Sequence, residues 1–253
     1  MSIKIENIQT MGWEGALRGM RNPLNSWDKA DSAYASDIER TDTNIAAYGT
    51  KLDRYDFVIG QNDLALCLKL IKAGSEHRKF LRMIHVQMDI TAPLYWWKEF
   101  DTYKVATTSN SCSTMHKIAA KPFGLEDFSH EHIMHDDEGW NIEEEYAEGE
   151  SPLAVLEYNV TVLNFYRKKY LETKTKPMEE EVKRAPLIKA YWQQMIQLLP
   201  SSYNQKRTVM LNYEVLANIY KSRKDHKLDE WRDLCTWIEG LPYSELITGG
   251  VKK

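Results

Sequence analysis

Hydrophobic and polar positions along the chain predict a mixture of helices and at least one strand. Residues 82–91 alternate, with Ile84, Val86, Met88 and Ile90 on one face, as in a strand that has one polar face. Apolar residues at helical spacing, together with caps and Gly or Pro stops, predict helices over 63–73, 94–100, 152–173, 187–199, 205–223 and 228–239. We therefore expect an α+β fold in which a sheet is flanked by long helices.

The organisation along the chain predicts a single domain over residues 1–253, because there is no internal repeat and no Pro/Gly/Ser-rich linker. Between Lys121 and Arg167 there is no Lys or Arg, whereas the same interval holds 12 Asp or Glu residues. This charge bias predicts an acidic loop insertion over residues 122–150. Residues 174–186 are rich in charge and are predicted to form a surface loop.

Composition narrows the classes of function. The 253 residues carry a net charge of −4, which argues against nucleic-acid binding through bulk charge. Three cysteines without a CxxC motif argue against a disulfide framework or a zinc knuckle, so a cytoplasmic location is expected. The sequence has no apolar run of membrane-spanning length, and we expect no membrane association.

Two clusters invite a chemical interpretation and have a simpler one. His130, His132 and His135 precede Asp136, Asp137 and Glu138, which are metal-ligand types, but a solvated acidic loop explains them better, and no metal site is predicted. Cys112 lies four residues before His116, yet a small buried thiol is favoured over a nucleophile.

Residues 74–116 bring cations close to hydroxyl groups. The basic side chains, two of them His, are those of Arg78, Lys79, Arg82, His85, Lys98, Lys104 and His116. The hydroxyls are those of Thr107, Thr108, Ser109, Ser111, Ser113 and Thr114. Such a set suits a phosphate or diphosphate, and a Ser/Thr-rich surface turn is the open alternative. No glycine-rich phosphate loop is present in the sequence.

The order of these motifs resembles the flavin-dependent thymidylate synthases. The resemblance rests on LIKAGSEHRKF, RMIHVQMDITAPLYWW and DTYKVATTSNSCSTMH in residues 60–120, and on LLP and TVMLNYEVLANIYKSR in residues 190–240. It implies a twisted, mainly antiparallel sheet with flanking long helices. It also implies a homotetramer whose active sites are shared between subunits.

The resemblance assigns roles to individual residues. Those implied to bind a pyrimidine deoxynucleotide are Arg223, Ser113, Ser111, Lys104 and Tyr103. Those implied to bind the flavin are Asn212, Asn218, Asn110, Arg78 and His77. No residue is assigned a catalytic role, since the family needs no protein nucleophile.

Several positions depart from the family pattern. The family's Arg-His-Arg triplet falls on Thr102-Tyr103-Lys104 or Tyr103-Lys104-Val105, so an aromatic ring replaces a cation. The signature Glu, Arg and Tyr are Ser111, Met115 and His116, and the helix Arg is Glu214. Most charges that would grip flavin and nucleotide phosphate are absent, and Lys104, Arg82 or Arg78 would have to compensate.

Two functions follow from the resemblance. The first is a thymidylate synthase-like methyltransferase that uses FAD, a folate one-carbon donor and a nicotinamide reductant on a pyrimidine deoxynucleotide, with an altered substrate as an option. The second is a catalytically inactive relative that binds or sequesters a nucleotide-like small molecule. Stacking of single-stranded nucleic acid on exposed aromatic rings is a minor third option, which the net charge disfavours.

Overall fold

The computed structural model of this chain describes residues 2–135, 151–175 and 181–249. The strands in these ranges are β1 (Lys4–Met11), β2 (Ala33–Tyr34), β3 (Phe57–Val58), β4 (His85–Pro93), β5 (Thr108–Ser111) and β6 (Asn204–Asn212). The helices are α1 (Trp13–Arg21), α2 (Asp42–Tyr48), α3 (Lys51–Arg54), α4 (Gln61–Ala73), α5 (Leu94–Phe100), α6 (Thr114–Lys117), α7 (Pro152–Lys174), α8 (Glu181–Gln197), α9 (Tyr213–Arg223), α10 (Asp229–Glu239) and α11 (Glu245–Thr248).

An antiparallel sheet with the order β1-β4-β6-β5 organises the fold. Strand β4 lies in the middle and pairs with β6 along its whole length, from His85 opposite Asn212 to Pro93 opposite Asn204. Val86, Met88 and Ile90 are buried, as the alternation in the sequence predicted. The sheet is therefore polar on one face and apolar on the other, and the apolar face carries the main core.

Aromatic side chains fill the core between the sheet and α5, α9 and α10. Trp96, Trp97, Phe100 and Trp231 are at most 1% exposed. The Trp96 ring centroid lies 4.9 Å from that of Trp97 and 4.9 Å from that of Trp231. Helix α5 follows β4 directly, so this packing fixes the position of its C-terminal end. The predicted site residues Tyr103 and Lys104 follow that end.

The predicted helix over 205–223 is wrong in its first half. Residues Asn204–Asn212 form β6, and the helix begins at Tyr213. Val209 and Leu211 are buried while Thr208 and Met210 are exposed, which is the alternation of a strand. The side chain of Asn212 then accepts a hydrogen bond from the Val215 backbone N–H at 3.0 Å and so caps α9.

A second, smaller core lies between α7, α8 and the segment that follows α6. Its buried members are Ile118, Phe123, Phe128, Leu156, Leu163 and Met195. Ser151 caps α7 as predicted, because its hydroxyl accepts a hydrogen bond from the Ala154 N–H at 3.1 Å.

The two predicted loops need correction where the structure describes them. The loop over 174–186 is too long, since α7 ends at Lys174 and α8 begins at Glu181, with Pro186 inside that helix. The first part of the 122–150 insertion is packed, because Phe123 and Phe128 are buried in the second core. Residues 136–150, where the acidic loop was predicted to be most exposed, lie outside the described residues. No helix in the described ranges is long and apolar enough to cross a membrane.

A buried ion pair fixes the N-terminal segment against α4. Arg21 and Asp63 are 3% and 1% exposed, and the Arg21 Nε donates to Asp63 Oδ1 at 2.6 Å. The rest of the guanidinium donates to the backbone oxygens of Ser26 and Lys29, and the Ser32 hydroxyl donates to the same carboxylate. This network closes the loop between α1 and β2.

We predict that Arg21→Met lowers the free energy of unfolding by about 3–5 kcal/mol, because it leaves the Asp63 carboxylate buried and unpaired. Urea unfolding measures the change. Arg40→Ala is the matched control, since it removes an exposed pair with Asp53 and should cost less than about 1 kcal/mol. Equal effects of the two substitutions would contradict the role given to Arg21.

Candidate functional site

Arg223 and Tyr103, which the sequence placed in one nucleotide site, are in direct contact. Arg223 ends α9, and its Nε donates to the Tyr103 hydroxyl at 2.9 Å. Its Nη1 donates to Glu99 Oε2 at 2.8 Å. The guanidinium also lies 4.5 Å from the Trp231 ring centroid. The planar cation is thus held on an aromatic wall in one orientation.

One edge of this guanidinium stays open. The Nη1 atom is also 2.9 Å from His226 Nε2, so Nε and Nη1 are both engaged. The Nη2 atom has no hydrogen-bond partner within the described residues, and it is not one of their buried unpaired atoms. Arg223 can therefore donate to a ligand through Nη2 without losing its anchors.

A cavity of about 280 Å³ lies next to Tyr103. Its lining consists of Phe100, Asp101, Tyr103, Lys104, Thr107 and Ser109. Lys104 is exposed and has no ion pair in the described ranges. Thr107 lines the cavity, and its hydroxyl is buried without a hydrogen-bond partner, which leaves it available to a polar group of a ligand. Asp101 is already paired with Arg207 at 2.7 Å.

The register of β5 separates the predicted site residues between the two faces of the sheet. Ser109 lies opposite the buried Val209 and Ser111 lies opposite Arg207, so both belong to the face that carries the cavity. Asn110 lies opposite Thr208 and belongs to the polar face. The predicted flavin contact of Asn110 is therefore on the other side of the sheet from Tyr103 within one chain.

Ser113 and Cys112 belong to the same Ser/Thr-rich segment and differ in their surroundings. The Ser113 hydroxyl accepts a hydrogen bond from the His116 backbone N–H at 3.0 Å and caps the short helix α6. Cys112 is an exposed free cysteine, which corrects the expectation of a small buried thiol. The Ser/Thr-rich segment is thus largely a surface strand and turn, and its cavity-facing members are Thr107 and Ser109.

Part of the predicted flavin set lies at the start of α9. Arg78 Nη2 donates to Glu214 Oε1 at 3.0 Å and lies 3.5 Å from Asn218 Oδ1. The Arg78 Nε and the Glu214 Oε2 are buried without partners. His77 and Asn218 are exposed, whereas Asn212 is 2% exposed and its oxygen is used by the α9 cap.

Helix α9 keeps the Arg78–Glu214 pair apart from the Tyr103–Arg223 pair within one chain. Glu214 lies in its first turn and Arg223 is its last residue, which corresponds to roughly 13 Å along the helix axis. No hydrogen bond or ion pair joins Arg78 or Asn218 to Tyr103, Lys104 or Arg223 in the described part of the chain. One chain therefore brings Tyr103 into contact with Arg223 and places Lys104 beside Tyr103 in the cavity lining, and it separately brings Arg78 to Asn218.

The sequence did not identify the residues that position Arg223. Glu99 accepts from both Arg223 and the Trp231 indole N–H, the latter at 3.0 Å. Glu99 and Arg223 are 124 positions apart, so no spacing motif links them. The nearest signal was the pair of charged residues, Lys98 and Glu99, that interrupts an otherwise aromatic helix.

Two histidines of the cluster, His130 and His132, each have a hydrogen-bond partner among the described residues. His132 Nε2 lies 2.9 Å from Asp229 Oδ2, and His130 Nδ1 lies 2.8 Å from the Phe128 carbonyl oxygen. Within the described residues, no group of three or more His, Cys, Asp or Glu side chains could hold a metal ion. Asp136, Asp137 and Glu138 lie outside those residues.

The sequence matches no protein-family model and no curated protein. The fold matches the flavin-dependent thymidylate synthase ThyX from Helicobacter pylori, complexed with FAD and dUMP, with a TM-score of 0.58 and 14% identity over 100% of each chain. A second ThyX structure from that organism, also with FAD and dUMP, gives 0.58 and 13% over 99% of this chain and 100% of the other.

This likeness confirms the predicted fold class. At such identities it establishes a relationship of fold, and the chemistry has to be argued from the residues. The predicted flavin residues fit an FAD in part, because Asn218 and His77 are exposed and the Arg78 Nε lacks a partner. Glu214 offsets the charge of Arg78, so this pair offers hydrogen bonds to a diphosphate more than net positive charge.

The polar face of the sheet yields a prediction about acid stability. Hydrogen bonds from Thr208 and Asn7 and the Lys206 ammonium hold the pKa of Asp89 at about 2. A lowered pKa stabilises the fold above the unfolded value of 3.8, and that contribution is lost as the pH falls through about 2. Asp89→Asn should therefore flatten the loss of stability between about pH 4 and pH 2. Carboxyl NMR titration of Asp89 is the direct check, and a midpoint near 4 would contradict it.

Proposed function

We propose that this protein is a flavin-dependent thymidylate synthase-like enzyme that acts on a pyrimidine deoxynucleotide by reductive one-carbon transfer, with a rebuilt nucleotide pocket. The cavity beside Tyr103 carries the proposal. There Lys104 has no carboxylate partner in the described ranges, and Tyr103 joins the cavity to Arg223, whose Nη2 has no partner among the described residues. The binding of FAD and dUMP by ThyX proteins of this fold supports the proposal.

Several polar groups in and beside the cavity have a place in nucleotide binding. Lys104 supplies the positive charge for the phosphate, and Ser109 and Ser111 supply hydroxyl donors from the same face of β5. The Tyr103 ring offers a flat apolar surface to the base. Arg223 Nη2 donates to a carbonyl oxygen of the pyrimidine, since Nε and Nη1 are anchored by Tyr103 and Glu99.

His77 and Arg78, from the segment between α4 and β4, and Asn218, from the middle of α9, would hold the flavin through hydrogen bonds. When bound, a reduced flavin would supply the hydride, with a folate as the donor of the carbon unit and a nicotinamide as the reductant of the flavin. Because the Arg78 and Tyr103 groups lie apart in one chain, we include in the proposal a homotetramer in which different subunits complete each site. The described residues of this chain would then bind, orient and shield the nucleotide.

A second function is favoured by a specific observation. The guanidinium groups of Arg78 and Arg223 are each paired with a carboxylate of the chain, at 3.0 and 2.8 Å. Each pair reduces the charge available for a diphosphate or phosphate. A catalytically inactive relative that binds or sequesters a nucleotide-like ligand without flavin is consistent with that pairing.

Flavin uptake distinguishes the two functions. We expect protein incubated with FAD and then desalted to retain the flavin absorption bands, and Asn218→Ala to reduce the amount retained, because it removes an exposed polar contact from the middle of α9. Asn159→Ala on α7 is the control. Colourless protein that still binds dUMP in calorimetry would reject the enzyme and support the inactive nucleotide binder.

The nucleotide site has its own test. Lys104→Ala should weaken dUMP binding by roughly tenfold to a hundredfold, because one hydrogen bond to a charged phosphate is worth about 1.5–3 kcal/mol. Isothermal titration calorimetry measures the dissociation constant. Lys98→Ala is the matched control, since Lys98 is an exposed lysine of α5 that does not line the cavity. If both variants bind dUMP like the parent protein, the phosphate is held elsewhere and the proposed site is wrong.

A further inference from the structure

A second cavity lies at the other end of the apolar core, away from Tyr103 and Lys104. It has a volume of about 280 Å³ and is bounded by the end of β1, the start of α1 and the two-stranded sheet of β2 and β3. Its lining consists of Thr10, Met11, Gly12, Trp13, Tyr34, Arg54, Tyr55, Asp56, Phe57 and Pro242. None of these residues lines the cavity beside Tyr103.

Aromatic rings from three parts of the chain form the walls. The Tyr34 ring is 5.1 Å from the Phe57 ring at 87°, so these two rings meet edge to face. Tyr55 contacts the Tyr243 ring at 5.0 Å, and Trp13 contacts that ring at 5.4 Å. Tyr34 is 45% exposed, which leaves part of its ring surface free for a ligand. Rings held by one another in this way present flat faces at little entropic cost.

Two charged side chains stand among these rings. Arg54 is exposed, its guanidinium lies 5.4 Å from the Tyr55 ring centroid, and it has no carboxylate partner in the described ranges. Asp56 is exposed, and its carboxylate has no hydrogen-bond donor among the described residues. A cation and an acceptor are thus both available beside an aromatic surface.

We propose that this cavity binds a planar heteroaromatic anion, of the chemical class of a purine nucleoside monophosphate. The ring system lies against Tyr34 and Tyr55, the Asp56 carboxylate accepts from the ring N–H groups, and Arg54 pairs with the phosphate at the mouth. A volume at the lower end of ligand sites suits one bicyclic ring and excludes a dinucleotide. The proposal does not depend on the function proposed for the Tyr103 site.

Calorimetry with guanosine monophosphate tests this site. We expect binding that weakens at least about tenfold when guanosine replaces the nucleotide, and by a similar factor in Arg54→Ala, because each change removes the same charged contact. Arg40→Ala is the control for loss of an exposed arginine and should bind like the parent protein. Tyr34→Ala should also weaken binding, with thermal melting used to confirm that the variant is folded.

The Lys104 variant separates this inference from the nucleotide site proposed above. If guanosine monophosphate binding survives Lys104→Ala and is lost in Arg54→Ala, the second cavity is the site. If it is lost in Lys104→Ala and unchanged in Arg54→Ala, the ligand occupies the Tyr103 cavity, and the inference is overturned while the proposed function stands. Absence of binding to the parent protein overturns it as well.

Discussion

The antiparallel pairing of β4 with β6 is the constraint on which the rest of the structure depends. It sets His85 opposite Asn212, so that α9 starts at the end of the sheet where β4 begins, whereas α5 starts at the opposite end. The 11 residues of α9 run for roughly 16 Å, and its last residue, Arg223, reaches Glu99 and Tyr103 near the end of α5. A slip of one residue in this pairing would exchange the two faces of the strand and separate Arg223 from Tyr103.

Ion pairing within the chain then determines which cations remain without a carboxylate partner. Arg21, Arg78 and Arg223 are each at most a quarter exposed, and each is paired with a carboxylate of the same chain. Pairing is expected, because an unpaired charge in the low-dielectric interior is costly. Cations without such a partner among the described residues, such as Lys104 and Arg54, are exposed and line cavities, where water solvates them.

The sequence predicted those parts of the fold whose signals are local. The alternation of Val86, Met88 and Ile90 identified β4, and Ser151-Pro152 identified the start of α7. β6 was missed because it runs into α9 without a glycine or proline between them, so two periodicities merge at Asn212. At the candidate site, the proximity of Tyr103 and Arg223 could be predicted, because the resemblance to the flavin-dependent thymidylate synthases assigned both residues to one nucleotide site. Glu99 could not, since its contact with Arg223 exists only after the strands have paired.

The sequence has 8 Trp and 14 Tyr but only 6 Phe, and this excess follows from the same geometry. Elements distant in sequence are joined by buried rings that also carry a polar handle: the Trp97 indole donates to the Gln205 carbonyl oxygen, and the Tyr213 hydroxyl donates to that of Pro242. Phenylalanine would fill the same volume without fixing the partner. Tyr103 applies this arrangement at the candidate site, because its hydroxyl accepts from Arg223 Nε while the residue lines the cavity. The hydroxyl thereby anchors the guanidinium of Arg223, a contact that a cation at this position could not make because it has no acceptor to offer.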